Sequence, residues 1–88
     1  MPGKDIRIVI LQRGWVFVGE FAQNGPNCSL SNANVVRIWG TNRGLGEIAK
    51  NGPTNRTELD PCQTVKFHEL TVIATIECSE EKWNGKLS

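Results

Sequence analysis

Two arginines, a tryptophan, a hydroxyl and a carboxamide lie within the seven consecutive residues from Arg37 to Arg43. A guanidinium group binds phosphate oxygens through paired hydrogen bonds, and an indole face stacks on a nucleobase. The segment therefore predicts a site for a nucleotide or another phosphate-bearing small molecule. The alternative is that the indole belongs to the core and the arginines make surface ion pairs. The residues assigned to the site are Arg13, Arg37, Trp39, Thr41, Asn42 and Arg43.

Side-chain combinations that support catalysis do not occur at recognisable spacing. His68 is the single imidazole, and Glu69 beside it faces the other side of a predicted strand, so the two form no obvious dyad. The glycine-containing segment Gly40 to Glu47 lacks the spacings of nucleotide-binding folds. We therefore expect a protein that is not an enzyme and uses no cofactor.

The three cysteines, Cys28, Cys62 and Cys78, are odd in number and include no C-x-x-C pair. A disulfide framework is therefore not expected. With His68 they could supply four zinc ligands, but structural zinc ligands usually occur in closely spaced pairs. Apolar burial is the commoner fate of a free cysteine, so no metal site is predicted.

Charge is unevenly distributed along the chain, although the formal net charge is only +1. Up to Arg56 there are seven basic and three acidic residues, and from Thr57 onward there are three basic and six acidic residues. The two parts can meet head to tail in a homo-oligomer, or the basic part can bind an anionic ligand. The alternative is an ordinary solvated surface with no specific use. The small net charge makes nucleic acid a less favoured partner.

The length of 88 residues predicts one small domain, residues 1–88, in which 79–88 form a polar C-terminal tail. No apolar run approaches the roughly 18 residues that span a bilayer. The N-terminus carries no cleavable small-residue site. These features predict a cytoplasmic protein without a membrane partner.

The hydrophobic pattern predicts strands over most of the chain. Turns are predicted at residues 12–14, 24–26 and 31–34, and an exposed loop is predicted from Thr54 to Pro61. The first strand is apolar almost throughout and should be central. The predicted strands are Ile6 to Leu11, Trp15 to Phe21, Cys28 to Leu30, Val35 to Trp39, Val65 to Phe67 and Val72 to Cys78.

One short helix is predicted after the fourth strand, with Thr41 or Asn42 as its cap and Gly52-Pro53 as its stop. The N-terminus of this helix would add backbone N–H donors to the arginine site. The predicted fold class is mainly β: a small curled antiparallel sheet or partly open barrel of five to six strands. The apolar positions at helical spacing are Leu45, Ile48 and Ala49.

The segment Arg13 to Ala33 resembles the first sequence motif of Sm-like small barrels. In that motif one glycine opens the second strand, here Gly14, and a second glycine bends it, here Gly19. A Leu-x-Asn-Ala element then follows the third strand, here Leu30 to Ala33. The resemblance implies a small Sm-like or SH3-like β-barrel and, as one alternative function, RNA binding.

The chain also resembles a family of small phage and prophage proteins of unknown function. The shared elements are Gly14 to Gly19, Leu30 to Ala33, Arg37 to Trp39 and Leu45 to Ala49. This resemblance implies a viral protein acting in the host cytoplasm. Its expected role is to sequester a nucleotide-like ligand, for which a cyclic nucleotide of host immune signalling is one candidate.

A second hypothesis is a protein-interaction module that inhibits a host protein or serves as a minor virion component. In that hypothesis an exposed Trp83 and the acidic residues Glu77, Glu80 and Glu81 form the contact surface. The alternative for Trp83 is that the tail folds back and packs the indole over one end of the sheet.

Overall fold

The computed structural model describes residues 5–40, 44–83 and 85–87 and shows a mainly β chain. The helices are α1 (Leu45–Asn51) and α2 (Glu80–Trp83), and 3-10 turns occupy Gln12–Gly14 and Glu69–Thr71. The strands are β1 (Ile6–Leu11), β2 (Val16–Asn24), β3 (Asn27–Ile38), β4 (Glu58–Pro61), β5 (Val65–His68) and β6 (Val72–Glu77).

All strands belong to one antiparallel sheet with the order β4-β3-β2-β1-β6, in which β5 also pairs with β3. β4 and β5 lie along the same edge of β3, one after the other. Within the described ranges no pairing joins β6 to β4 or β5, so the sheet is open. The predicted fold class is confirmed: a small antiparallel sheet of six strands, with a short helix after the segment predicted as the fourth strand.

β1 occupies the interior of the sheet between β2 and β6. Ile8 and Val9 face opposite sides of the sheet, and both are completely buried. This burial confirms the central position predicted for β1. The chain then reverses through Arg13 and Gly14, both at positive φ (68° and 80°), which confirms the predicted tight connection.

β3 runs without interruption through residues 31–34, so the predicted turn there is wrong. The polar residues form a bulge instead: Asn32 has a φ of 50°, and the register with β2 shifts beside Gly19. Asparagine tolerates this left-handed conformation better than most residues. A Cβ on Gly19 would lie 2.9 Å from the carbonyl oxygen of Ser31, so only glycine lets β2 pass the bulge this closely.

Apolar side chains pack on both faces of the sheet. Ile8 and Val18 belong to a cluster that α1 and α2 cover, whereas Val9 and Leu30 belong to a cluster on the opposite face. Phe17, Phe21 and Phe67 surround the second cluster and are only partly buried. The phenylalanine rings therefore concentrate on the face without helices.

α1 buries the three residues predicted to form its apolar stripe, Leu45, Ile48 and Ala49. The helix ends at Gly52, which has a φ of 85°, as its predicted stop signal requires. Its start differs from the prediction because the cap position is Gly44, without a side-chain hydrogen bond. The predicted caps, Thr41 and Asn42, lie outside the described residues.

The segment Thr54 to Pro61 is only partly the exposed loop that was predicted. Its second half is β4, which pairs with residues 34–38 of β3 and packs Leu59 against the helix-covered cluster. A strand of four residues at a sheet edge shows little periodicity, which is why its polar composition predicted a loop.

The C-terminal segment is anchored to the domain. Trp83 in α2 is completely buried, and its indole Nε1 donates a hydrogen bond to the carbonyl oxygen of Ile48 at 2.9 Å. Leu87 is partly buried in the same cluster. The hypothesis that Trp83 is an exposed contact residue is therefore wrong, because the indole is buried. Its hydrophobic contacts and its hydrogen bond hold the C-terminal segment on α1.

Candidate ligand-binding surface

Three of the predicted site residues lie at one end of the sheet. Arg13 precedes β2, whereas Arg37 is near the end of β3 and Trp39 follows it. Because β2 and β3 are antiparallel, with Phe17 opposite Val35, the start of β2 and the end of β3 meet at the same end. The other predicted residues, Thr41, Asn42 and Arg43, lie outside the described residues.

Trp15 joins this end of the sheet and was not assigned to the site from the sequence. Its backbone is extended and lengthens β2 by one residue at the start of the strand. Because Phe17 pairs with Val35, continuing this register by two residues places Trp15 opposite Arg37. The indole is 56% exposed and stacks on the Phe17 ring, with centroids 6.0 Å apart and an interplanar angle of 11°. We call Arg13, Trp15, Arg37 and Trp39 the basic end of the sheet.

Arg37 has an internal partner at the surface. Its Nε lies 3.3 Å from Oδ2 of Asp60 on β4, and the two side chains are 59% and 55% exposed. An exposed pair of this kind contributes about 0–1 kcal/mol. The contact is made by Nε, and the two terminal nitrogens of the guanidinium carry four further N–H donors.

Trp39 is held through its backbone, and its side chain is 44% exposed. Thr57 Oγ1 donates to the carbonyl oxygen of Trp39 at 2.7 Å, and Thr54 Oγ1 donates to that of Gly40 at 2.8 Å. A Cβ on Gly44 would lie 3.5 Å from the indole ring, so the ring passes close to the start of α1. The two threonines thus tie the end of β3 to the loop before β4.

The helix contributes less to this surface than the sequence predicts. α1 has seven residues and carries Glu47 in its first turn. A short helix with a carboxylate at its start presents little net positive charge to an anion. The attraction for an anion at the basic end therefore comes from the arginine side chains.

A cleft of about 550 Å³ lies at the opposite end of β3 from Arg37. It is lined by Ala22, Asn24, Asn27, Ser29, Lys66 and their strand neighbours, and we call it the hairpin cleft. Ser29 and Arg37 are eight positions apart on β3, which corresponds to roughly 25 Å along a strand. The predicted site and the hairpin cleft are therefore separate surfaces.

The cysteine thiols are suited to packing more than to reactivity. Cys28 is buried, Cys78 is partly buried and Cys62 is exposed, and no disulfide joins them. Burial raises the pKa of the Cys78 thiol from 9.0 to about 12, against a smaller opposing effect of a backbone hydrogen bond at Ile8. Burial also raises the pKa of Cys28, with a further contribution from the charge of Glu69.

The raised pKa of Cys78 predicts that the folded protein loses stability at alkaline pH. The stabilisation from protonated Cys78 is complete below pH 9, the ordinary thiol pKa, and is lost as the pH rises toward the folded-state pKa of about 12, because the unfolded chain releases the proton first. Chemical denaturation between pH 8 and pH 11 should show the free energy of unfolding falling. The free energy of unfolding should fall less steeply in Cys78→Ala. An equally steep fall in that variant would show that Cys78 does not cause the pH dependence.

His68 has a structural contact that accounts for its position. Its Nδ1 accepts a hydrogen bond from the backbone N–H of Leu70 at 3.0 Å and so caps the 3-10 turn Glu69–Thr71. Among the described residues no three His, Cys, Asp or Glu side chains come together in an arrangement that could hold a metal ion.

None of the described helices has the length and apolar character needed to cross a membrane. No protein-family model and no curated protein matches the chain.

Proposed function

We propose that the protein is a non-enzymatic binding protein that sequesters a nucleotide-like anion on the basic end of the sheet. The observation that carries the proposal is the exposed indole of Trp15, stacked on Phe17 at the same end as Arg37. Aromatic stacking of this kind contributes about 1–3 kcal/mol per base. The phosphate would be held by the guanidinium beside it.

The exposed ring explains why a base would bind on an open surface. The Phe17 ring lies parallel to the Trp15 indole and offset from it, so the contact orients the indole and leaves exposed ring surface for a base. Because the ring is oriented before binding, less conformational entropy is lost when the ligand binds. The surface is thus a stacking platform next to positive charge, which favours a ligand with both a flat ring and an anionic group.

The ion pair of Arg37 with Asp60 sets the strength of anion binding in this proposal. Asp60 holds the guanidinium in position but also places a negative charge next to the incoming phosphate. Because both side chains are more than half exposed, the pair is weak enough for a phosphate to engage the terminal nitrogens of Arg37. Arg13 adds a second exposed cation at the same end.

Nucleotide titration of the full chain tests the proposal. At a ligand concentration a hundredfold above the dissociation constant, binding should raise the free energy of unfolding by about 2.7 kcal/mol. Mononucleotides and cyclic dinucleotides are the ligands to titrate, with native mass spectrometry reporting any retained ligand and the number of subunits. Failure of every nucleotide to stabilise the protein would contradict the proposal.

Three charge substitutions test the site assignment. Arg37→Gln should weaken nucleotide binding by about tenfold or more, because a charge-assisted bidentate contact is lost. Asp60→Asn should strengthen binding a few-fold, because the guanidinium keeps a hydrogen-bond acceptor while the competing charge disappears. Lys50→Gln removes an equal charge from the exposed side of α1 and should leave the nucleotide affinity unchanged. Equal effects of Arg37→Gln and Lys50→Gln on calorimetric affinity would refute the assignment.

A further inference from the structure

The hairpin cleft has a floor of small residues and a rim of longer polar ones. Ala22 pairs with Ser29, and Ser29 pairs with Lys66, so these three residues lie side by side on one face of three adjacent strands. Asn24 pairs with Asn27 one row further along the same face. The short side chains of Ala22 and Ser29 leave room between Lys66 and the two asparagines in this cleft of about 550 Å³.

The charge of the cleft favours an anion. Lys66 supplies an ammonium group, and none of the described residues that line the cleft is acidic. Two carboxylates lie outside the lining: Gln23 Nε2 donates to Glu69 at 3.2 Å, and Glu20, two positions before Ala22 on β2, accepts a hydrogen bond from Asn32 Nδ2 at 2.6 Å. Strand alternation puts the Gln23 side chain, and with it the Glu69 carboxylate, on the opposite face of the strands from Ala22 and Asn24.

The remaining polar groups favour a ligand rich in hydroxyl groups. Two carboxamides and one hydroxyl, from Asn24, Asn27 and Ser29, offer both donors and acceptors to a polyol. His68 pairs with Asn27 across β5 and β3, and its Nδ1 accepts a hydrogen bond from the backbone N–H of Leu70. The cleft is therefore lined by groups that both donate and accept hydrogen bonds.

The described lining of the cleft offers no exposed aromatic face on which a nucleobase could stack. The one aromatic residue in its lining, Phe67, packs its ring against Phe21 at a centroid distance of 6.4 Å, within the cluster on the other face. A volume of about 550 Å³ is in the range of small-molecule sites and exceeds what a bare phosphate needs. We infer that the hairpin cleft binds a phosphorylated sugar, with the phosphate on Lys66 and the sugar hydroxyls on the asparagines and Ser29.

Titration with glucose 6-phosphate, glucose and inorganic phosphate tests this inference by two-dimensional amide NMR on the full chain. Glucose 6-phosphate should shift the amide resonances of Ala22, Ser29 and Lys66 in a saturable manner. It should bind about tenfold or more tightly than either inorganic phosphate or glucose, since only it engages the ammonium and the polyol-binding groups together. Equal affinity for inorganic phosphate would overturn the sugar component, and no shift at the cleft would overturn the site.

Single substitutions test whether glucose 6-phosphate binds at the hairpin cleft, at the basic end or through net charge alone. Lys66→Gln should weaken glucose 6-phosphate binding by about tenfold or more, while Lys50→Gln, its matched control on α1, should not. Ala22→Leu fills the floor from an exposed strand position and should also abolish binding, with the amide spectrum reporting that the fold persists. Arg37→Gln should leave glucose 6-phosphate binding unchanged. Loss of binding in Arg37→Gln, or unchanged binding in Lys66→Gln, would overturn the assignment to the cleft.

Discussion

Replacing Trp83 with alanine should lower the free energy of unfolding by about 3–5 kcal/mol, the range typical of large buried aromatic residues. The indole is completely buried in the cluster that contains Ile8, Ile48 and Ala49, so its removal leaves a cavity under the two helices. The carbonyl oxygen of Ile48 also loses the hydrogen bond from Nε1. Denaturation by guanidinium chloride measures the change, which is a large part of the roughly 5–15 kcal/mol that stabilises a typical domain.

Trp15→Ala is the matched control, because it removes the same side chain from a position that is 56% exposed. Its cost should stay within about 1 kcal/mol, since surface substitutions rarely cost more. Trp83→Phe should fall between the two alanine variants, because most of the ring volume stays while the N–H donor is lost. Similar losses from Trp83→Ala and Trp15→Ala would mean that the C-terminal segment does not contribute to the core.

Gly40→Ala should cost about 2–5 kcal/mol, from the positive φ and from the backbone displacement that a methyl group would force. Gly40 has a φ of 67°, and an added Cβ would lie 2.6 Å from the carbonyl oxygen of Arg56 and 2.5 Å from the nitrogen of Thr57. The loop would have to move away, and the threonine hydrogen bonds that hold Trp39 and Gly40 would be strained. Thermal unfolding of the variant should show this loss.

Gly25→Ala isolates the conformational part of this effect. Gly25 has a similar φ of 63°, but nothing lies within 4 Å of the Cβ that alanine would add. Its substitution should therefore cost about 1–2 kcal/mol, the penalty of the left-handed conformation alone. The difference between the two variants measures the close approach of Gly40 to residues 56–57, and equal losses would show that this approach is not required.

Much of the fold could be predicted because its main signals are local. The apolar run of β1, the tight reversal through Arg13 and Gly14, and the helical spacing of Leu45 and Ile48 all act over a few residues. The wrong predictions, a turn at residues 31–34 and a loop in place of β4, concern interactions between segments that are distant in the sequence. The polar residues 31–34 become a bulge because Gly19 lies beside them, and β4 forms because the edge of β3 is available to pair with it.

The candidate site could be predicted only in part for the same reason. The sequence identifies Arg37 and Trp39 as chemically unusual neighbours, but it does not show that Asp60 reaches the guanidinium from another strand. Trp15 and Phe17 stand two residues apart on one face of a strand, a pattern that is typical of core packing. The register of β2 against β3 brings Trp15 to the basic end, and this register depends on the bulge that the sequence pattern did not reveal.

The most direct test of the proposed function observes the tryptophans themselves. The chain has three indole N–H groups, whose NMR resonances can be assigned with Trp15→Phe and Trp39→Phe. A nucleotide that stacks on the basic end should shift the Trp15 resonance saturably and leave that of Trp83, which is buried and bonded to Ile48, in place. In Arg37→Gln the same shift should need about tenfold or more nucleotide. A Trp15 resonance that does not move at saturating nucleotide, or that moves equally in Arg37→Gln, would contradict the account.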